Sequence, residues 1–324
     1  MSTRLSFVGD WLPLKLLEQS VGDGSCVIGN LECAFADGDV DSGKAYTSVL
    51  PRSCLDYVVT GGFAALSVAN NHVNDAGNFR ETYAELRSRF PDVQFFGTTS
   101  KPYAVIEQSN NRTIVIGCLE PCRSRSDFIF KQEEVAALIC KLRSSQPQPP
   151  TSIFIYPHWG KEGEYTRYPA PWQRKLAREW IDAGADGVFG SHSHVPQGRE
   201  YYKGKPIYYS LGNFDFDHPE SKLYEGTEDR LWLEVGVENT VRIREQFNTE
   251  QANEAVETAS KELAGWNTWK WAKKVGPFNL KKNTASWKLR LKKNFIRTLP
   301  KFLVWQLLPQ TLLFRIARLC CFKG

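Results

Sequence analysis

Side chains that suit divalent metal ions recur in this sequence just after its short apolar runs. Imidazole, carboxylate and amide oxygen are the ligand types that Mn, Fe or Zn accept. Four of the five histidines lie at such positions, and only His218 does not. A single Gly-Asp or a single His after a strand is commonly just a turn or loop residue, so the number and order of the motifs carry the argument. They are Gly9-Asp10, Asn30-Leu31-Glu32, Asn70-Asn71-His72 with Asp75, His158-Trp159-Gly160 and His192-Ser193-His194.

The apolar runs themselves are predicted to be β-strands that alternate with helices. Amphipathic stretches at 81–90, 133–142 and 172–183 predict the helices, and this rhythm indicates a layered α/β fold. Because ligands bind at the carboxyl ends of strands in such folds, we expect the polar motifs to converge on one metal site. Two later runs, 231–237 and 241–247, predict a hairpin. The other predicted strands are Leu5–Val8, Cys26–Ile28, Ala65–Val68, Ile114–Gly117, Ile153–Tyr156, Gly187–Phe189 and Ile207–Tyr209.

Three longer motifs give a specific family resemblance. Residues 70–77 read N-N-H-V-N-D-A-G, residues 184–194 read G-A-D-G-V-F-G-S-H-S-H, and residues 209–214 read Y-S-L-G-N-F. Together with the shorter motifs, they make residues 5–217 resemble the calcineurin-like metallophosphoesterases. Within that superfamily the sequence looks most like the CapA (PgsA) family of capsule and poly-γ-glutamate synthesis.

The resemblance implies a four-layer α/β/β/α sandwich over residues 1–247 and a phosphoesterase-type hydrolase with one or two divalent ions. It implies that the substrate is a phosphoester or another bond of an anionic polymer, within capsule or exopolysaccharide assembly. His72 is expected to be the catalytic acid for the leaving oxygen, and Asp75 to hold its ring.

The implied metal ligands fall into two sets that share one carboxylate. Asp10 and His194 would bind the first ion, Glu32 would bridge both, and Asn71, His158 and His192 would bind the second. Four further residues are expected to contact substrate or to orient the ligands: Asn30, Glu162, Glu164 and Asn213.

Two departures from the family pattern keep alternatives open. Leu12 stands where many metallophosphoesterases have a histidine, so the first ion has one ligand fewer and single-metal occupancy is an alternative. The segment after His158 is two residues longer than the family pattern, so either Glu162 or Glu164 takes the family's Glu position. A non-catalytic, metal-binding assembly subunit of a membrane-associated polymer-synthesis complex is the rival function.

Charge divides the chain into an acidic body and a basic end. All 36 acidic residues lie at or before Glu262, whereas fourteen of the 41 basic residues follow it, interleaved with tryptophan. This pattern predicts a helical linker at 248–275 and a basic amphipathic helical tail at 276–324 that lies on an anionic membrane. Its apolar surface favours lipid over nucleic acid, and packing against the body is the alternative.

The predicted location is the cytoplasm, with the tail on the inner face of the membrane. The apolar run near the N-terminus is too short for a signal peptide. The longest uncharged stretch of the tail, 302–314, falls short of the roughly 20 residues needed to span a bilayer. The eight cysteines lack C-x-x-C spacing, which favours reduced thiols.

Overall fold

The computed structural model describes residues 4–15, 17, 25–40, 44, 47–60, 62–108, 111–120, 127–145, 151–219, 221–236, 240–243, 250–265 and 267–278. Its strands are β1 (Arg4–Trp11), β2 (Ser25–Leu31), β3 (Ala34–Phe35), β4 (Val49–Leu50), β5 (Phe63–Ser67), β6 (Gln94–Phe96), β7 (Tyr103–Gln108), β8 (Asn111–Leu119), β9 (Thr151–His158), β10 (Gly187–Phe189), β11 (Arg199–Tyr202), β12 (Lys205–Tyr208), β13 (Asn213–Asp215), β14 (Leu233–Val235) and β15 (Val241–Ile243). The helices are α1 (Asp56–Thr60), α2 (Phe79–Arg89), α3 (Val135–Ser144), α4 (Pro171–Asp182) and α5 (Glu250–Leu263), and residues 268–278 are helical as well.

Two sheets form the centre of the molecule. The first has the order β15-β14-β1-β2-β5-β6, with β13 also paired to β1, and the second has the order β11-β12-β10-β9-β8-β7. Strands β1, β2, β5 and β6 are parallel to one another, and so are β8, β9, β10 and β12. Antiparallel strands lie at the edges, at β14 and β15 in one sheet and at β7 and β11 in the other.

The core separates into three apolar layers, which show how the sheets and helices stack. Phe7 of the first sheet packs against Phe154 and Phe189 of the second, so the middle layer lies between the sheets. Leu86 of α2 packs in a layer on the outer side of the first sheet. Trp180 of α4 packs in a third layer, with Ile139 of α3, on the outer side of the second sheet.

This stacking confirms the predicted α/β/β/α sandwich. Every residue of β1 after Arg4 is buried, as expected of a parallel strand with both faces covered. The three predicted helices match α2, α3 and α4 to within two residues, and β14 pairs with β15 as the predicted hairpin. The two-residue strands β3 and β4 were not predicted, because so short a run has no periodicity.

The region after the sandwich is partly described. Helix α5 lies against β11, where the side chain of Ser260 accepts a hydrogen bond from the backbone N–H of Arg199 at 2.8 Å. Residues 268–278 are held to the body by Lys274, which contacts both carboxylate oxygens of Glu262 at 2.7 and 2.8 Å. The predicted boundary at 247 and residues 279–324 of the predicted tail lie outside the described residues. Within the part that is described, no helix has the length and hydropathy needed to cross a membrane.

Candidate metal centre

Four parallel strands from both sheets end at the same place, and five of the predicted metal ligands gather there. Asp10 is the penultimate residue of β1, Glu32 directly follows β2, and His158 ends β9. His192 and His194 come from the loop after β10. All five side chains are buried. The side chains that the sequence distributes over nearly two hundred residues therefore share one pocket at the carboxyl ends of the strands.

The geometry divides these side chains into two overlapping groups. The ligand atoms of Asp10, Glu32 and His158 all lie within 4.8 Å of one another, and so do those of Glu32, His192 and His194. Glu32 belongs to both groups, which is the position of a bridging carboxylate. His158 lies with Asp10 in one group and His192 with His194 in the other, while His194 also lies 3.9 Å from Asp10, so the predicted assignment of ligands to two ions stays a prediction.

The environment of Glu32 fits a cation. Its side chain is 0% exposed, and neither of its oxygens accepts a hydrogen bond from an N–H or O–H group of the described residues. A buried carboxylate without such donors is costly unless a positive charge is near it. Its Oε1 atom instead faces Nε2 of His158 at 3.3 Å and Nε2 of His194 at 4.0 Å. This donor set of carboxylate and imidazole is suited to Mn, Fe or Zn.

The pKa values of the pocket show that burial disfavours the charged forms of its groups. Burial, followed by the charge of Glu32, raises the pKa of Asp10 to about 6. Burial also raises the pKa of Glu32 well above its usual range and lowers that of His194. In the metal-free protein these groups therefore resist ionisation, and a bound divalent ion would favour the deprotonated ligands.

A close approach of two backbone segments links the motif at residue 9 to the motif at residues 209–214. A Cβ atom on Gly9 would lie 1.8 Å from the carbonyl oxygen of Gly212, so only glycine fits there. The backbone N–H of Asp10 donates to that same carbonyl at 3.1 Å. This contact brings Asn213 to His194, whose Nδ1 lies 2.9 Å from Oδ1 of Asn213.

Asn213 fixes the orientation of the His194 ring. Its amide nitrogen donates to the carbonyl of Thr227 at 2.9 Å, which leaves Oδ1 to accept from Nδ1–H of His194. The other ring nitrogen, Nε2, then carries the lone pair and points towards Glu32. Asn213 therefore contacts a candidate ligand, in agreement with its predicted place beside the site.

Asn30 and Ser191 make the corresponding contacts around His158. The amide of Asn30 donates to Oδ1 of Asp10 at 2.7 Å and lies 3.2 Å from Nδ1 of His158. The Ser191 hydroxyl lies 3.0 Å from that same Nδ1. A metal ion at Nε2 of His158 would leave Nδ1–H to donate to the Ser191 hydroxyl, while the Asn30 amide donates to Asp10. Asn30 is thus a positioning residue, and Ser191 is one that the sequence reasoning missed.

The predicted catalytic pair is also assembled. Nδ1 of His72 lies 2.7 Å from Oδ2 of Asp75, so the carboxylate holds the ring with Nε2 on the opposite side. Burial lowers the pKa of His72. Burial alone would raise the pKa of Asp75, but the hydrogen bond from His72 and the charges of His72 and Lys44 outweigh it, so the net shift is downward. Asp75 therefore stays ionised beside His72.

Asn71 joins this pair to the metal ligands. Its Oδ1 atom lies 2.6 Å from Nε2 of His158. Asn70 holds the turn in place by accepting hydrogen bonds from the backbone N–H groups of His72 and Val73 at 3.0 and 2.8 Å. Residues 70–75 thus place an amide oxygen and an imidazole next to each other at the edge of the pocket.

The loop after β10 adopts an unusual backbone to direct its two histidines inward. His192 has φ of 95° and His194 has φ of 59°, in a region that residues other than glycine rarely enter. The backbone N–H of His192 donates to Oδ2 of Asp10 at 2.9 Å, which ties the loop to β1. Such strain is held by surrounding contacts and is concentrated at functional sites.

The two candidate glutamates after His158 have different surroundings. The charge of Glu164 acts on both Glu32 and His194, so Glu164 lies beside the metal pocket. Glu162 instead accepts a hydrogen bond from Nε1 of Trp172 on α4 at 3.4 Å. Which of the two takes the family's Glu position stays a prediction. Leu12 is buried in the apolar layer outside the first sheet, where it packs as core.

Several neighbours of the site had no sequence signal. Lys44 contacts the carboxylate of Asp75, His218 lies 3.1 Å from the carbonyl oxygen of Thr47, and Tyr165 stacks on His194 with ring centroids 5.3 Å apart. None of them belongs to a strand-end motif. The fifth histidine, which the strand-end pattern excluded, packs against Phe216 with ring centroids 5.8 Å apart, and the Phe216 ring lies 4.7 Å from that of His194.

Comparison with known proteins places the same segment in a family. The family model "Bacterial capsule synthesis protein PGA_cap" matches residues 11–218. The capsule biosynthesis protein CapA of Bacillus anthracis is 30% identical over 173 residues, which cover 49% of this chain and 42% of that protein. The PGA biosynthesis protein CapA of Bacillus subtilis is 32% identical over 167 residues, covering 48% and 43%. The chain thus spans less than half the length of these curated relatives.

Among solved structures, a phosphatase from Mycoplasma pneumoniae aligns with a TM-score of 0.44 and 12% identity. The alignment covers 78% of this chain and 97% of that one. The α/β/β/α arrangement is therefore established by the contacts within the present structure.

Proposed function

The chain belongs to the family of bacterial capsule synthesis proteins described as PGA_cap, and we propose that it is a metal-dependent phosphoesterase-type hydrolase of that family. The proposed substrate is a phosphoester, or another bond in an anionic polymer, during synthesis of capsule, poly-γ-glutamate or exopolysaccharide. The proposed cofactor is one or two ions of Mn, Fe or Zn.

One observation carries the proposal. Glu32, fully buried and without an N–H or O–H donor among the described residues, is shared by two groups of candidate ligands. The first group adds Asp10 and His158, and the second adds His192 and His194. Pairs of divalent ions that share a carboxylate are typical of enzymes that displace groups at phosphorus.

The proposed mechanism assigns separate tasks to the residues of the chain. When bound, the metal ions would polarise the phosphoryl oxygen and lower the pKa of an attacking water. The imidazolium form of His72 would donate its Nε2 proton to the departing oxygen, while its Nδ1–H stays hydrogen-bonded to Asp75 at 2.7 Å. Asn213 and Ser191 would hold His194 and His158 with their metal-binding nitrogens towards Glu32.

The test combines elemental analysis of purified protein with a phosphodiester hydrolysis assay. We expect wild-type protein to contain Mn, Fe or Zn and to hydrolyse the diester. His192→Ala should lose both metal and turnover. Glu179→Gln, at an exposed position of α4, is the matched control and should change neither metal content nor turnover. A folded wild-type protein that contains no metal and acquires none on titration would contradict the metal site.

A non-catalytic assembly subunit is the second candidate function, and the burial of Leu12 in the core favours it. That side chain takes the place of a histidine found in many metallophosphoesterases and is 2% exposed. This protein would bind metal, recruit synthesis enzymes and reach the inner face of the membrane through its basic tail. Metal content without hydrolysis of any phosphoester would support it.

A further inference from the structure

Lys44 brings a positive charge to the edge of the metal pocket. Its Nζ atom contacts Oδ1 of Asp75 and the backbone carbonyl oxygen of Asn71. The Asp75 side chain is 1% exposed, whereas that of Lys44 is 36% exposed. The Lys44 side chain therefore contacts a buried group of the site and is also accessible to solvent, from which a substrate would bind.

The charge of Lys44 acts on several groups of the site. It favours the ionised forms of Glu32 and Asp75 and the neutral form of His72, although burial outweighs it at Glu32, whose pKa stays raised. Glu164 adds a further negative charge near Glu32. These carboxylates would repel an anionic substrate wherever bound metal does not neutralise their charge. The positive charge of Lys44 at the edge of the pocket would attract such a substrate.

Residues 47 and 48 are fixed in place on two sides. The backbone N–H of Ser48 donates to Oδ2 of Asp75 at 3.1 Å. The carbonyl oxygen of Thr47 lies 3.1 Å from Nε2 of His218, which donates to it. These contacts hold residues 47 and 48 next to the proposed catalytic pair.

We propose that Lys44 forms an anion-binding subsite for a second carboxylate or phosphate of the substrate, on the leaving-group side of the scissile bond. The inference rests on the proposed hydrolase function. The side is assigned because Lys44 contacts Asp75, which holds the proposed proton donor His72. An ammonium group has three donors and attracts carboxylate and phosphate as a point charge. The substrate class is accordingly one that carries a negative charge near the bond that breaks, as a repeating anionic polymer does.

The simpler role for Lys44 is to neutralise Asp75 and hold the turn at 70–75. Both roles predict an effect of substitution, but only the subsite predicts that the effect depends on the charge of the ligand. The experiment therefore compares ligands that differ in one anionic group.

Binding is measured by calorimetry on the metal-loaded full chain with three probes that are not hydrolysed. Propylphosphonate has a neutral tail, 3-phosphonopropionate has a carboxylate tail, and 1,3-propanediphosphonate has a phosphonate tail. We expect wild-type protein to prefer the probes with charged tails by about 5-fold, the size of a partly exposed ion pair. Whichever charged-tail probe binds more tightly identifies the anion, carboxylate or phosphonate, that the subsite prefers.

In Lys44→Met this preference should disappear while the affinity for propylphosphonate stays the same, and Lys44→Arg should retain the preference. Lys44→Gln repeats the test if the methionine variant does not fold. Lys175→Met, at an exposed lysine of α4, is the control and should bind like wild type.

If Lys44→Met binds all three probes more weakly by the same factor, Lys44 has a structural role alone and the subsite proposal is wrong. The proposal is also wrong if wild-type protein shows no preference for charged tails. These outcomes are separable from failure of the hydrolase proposal. If wild-type protein shows the preference but hydrolyses no phosphoester, the subsite proposal stands and the hydrolase proposal is wrong.

Discussion

Oδ1 of Asn213 accepts a 2.9 Å hydrogen bond from Nδ1 of His194, and this contact decides which nitrogen of the ring faces Glu32. Replacement by alanine should let the ring rotate and change tautomer. We expect Asn213→Ala to weaken metal binding by about 10- to 100-fold, the usual effect of removing a partner of a ligand histidine. Competition with a chelator measures it.

Two comparisons sharpen this prediction. Asn213→Asp retains an acceptor for Nδ1–H and should recover much of the affinity. Asn111→Ala, at an exposed position that begins β8, should have no effect. Unchanged affinity in Asn213→Ala would remove the residue from the support of the metal site.

His72→Ala should lower turnover by about 10²- to 10⁴-fold while metal content stays at the wild-type level, because general-acid help is lost and no ligand is removed. Steady-state kinetics with elemental analysis of the same sample measures both. A substrate whose leaving group needs no proton should be affected much less. Loss of metal together with turnover would make His72 a ligand instead.

A charged cluster remote from the metal pocket gives a prediction for stability. Glu200 of β11 receives hydrogen bonds from Arg174 and Arg178 of α4, at 2.8 and 2.7 Å, and from the hydroxyl of Tyr209 at 2.6 Å. Burial raises the pKa of Glu200, but these hydrogen bonds outweigh burial and make the net shift downward. The ionised carboxylate therefore stabilises the contact between helix and sheet.

Because the folded-state pKa is lowered, this stabilisation is present above the usual glutamate pKa near 4.5 and is lost as pH falls through the folded-state value. Glu200→Gln should lower the free energy of unfolding by about 1–3 kcal/mol at pH 7, the range for hydrogen bonds to a charged group. The difference should shrink as the pH is lowered below 4.5. Denaturant titrations across this range measure it. Glu179→Gln, in an exposed pair with Lys175, should change stability by less than about 0.5 kcal/mol.

Deletion of residues 279–324 should leave the metal site intact and abolish binding to anionic vesicles. The cut follows Phe278, whose ring lies 5.8 Å from that of Tyr224, so the packed helix is kept. Full-length protein should co-sediment with anionic vesicles, be released as salt rises and ignore neutral ones. Precipitation of the truncated protein would instead indicate that the tail packs on the body.

The sequence by itself determined the fold class and the place of the chemistry. Apolar runs such as Ile153–Tyr156 contain enough hydrophobic side chains to be buried on both faces, and periodicity separated them from the helices. Because parallel strands point the same way, the residues that follow them share an edge of the sheet. His158 and His192 could be assigned to one site for this reason, without knowledge of which strands were neighbours.

Only the tertiary structure decided the contacts that depend on the relation between the sheets and on irregular loops. The approach of Gly9 to Gly212 connects segments that are two hundred residues apart, and it places Asn213 on His194. The different surroundings of Glu162 and Glu164 depend on the path of a loop with no periodicity. Lys44 lies in a segment between two strands of two residues each, too short for a local pattern. Local sequence patterns record which face of an element is buried, whereas these contacts arise from how separate elements pack against each other.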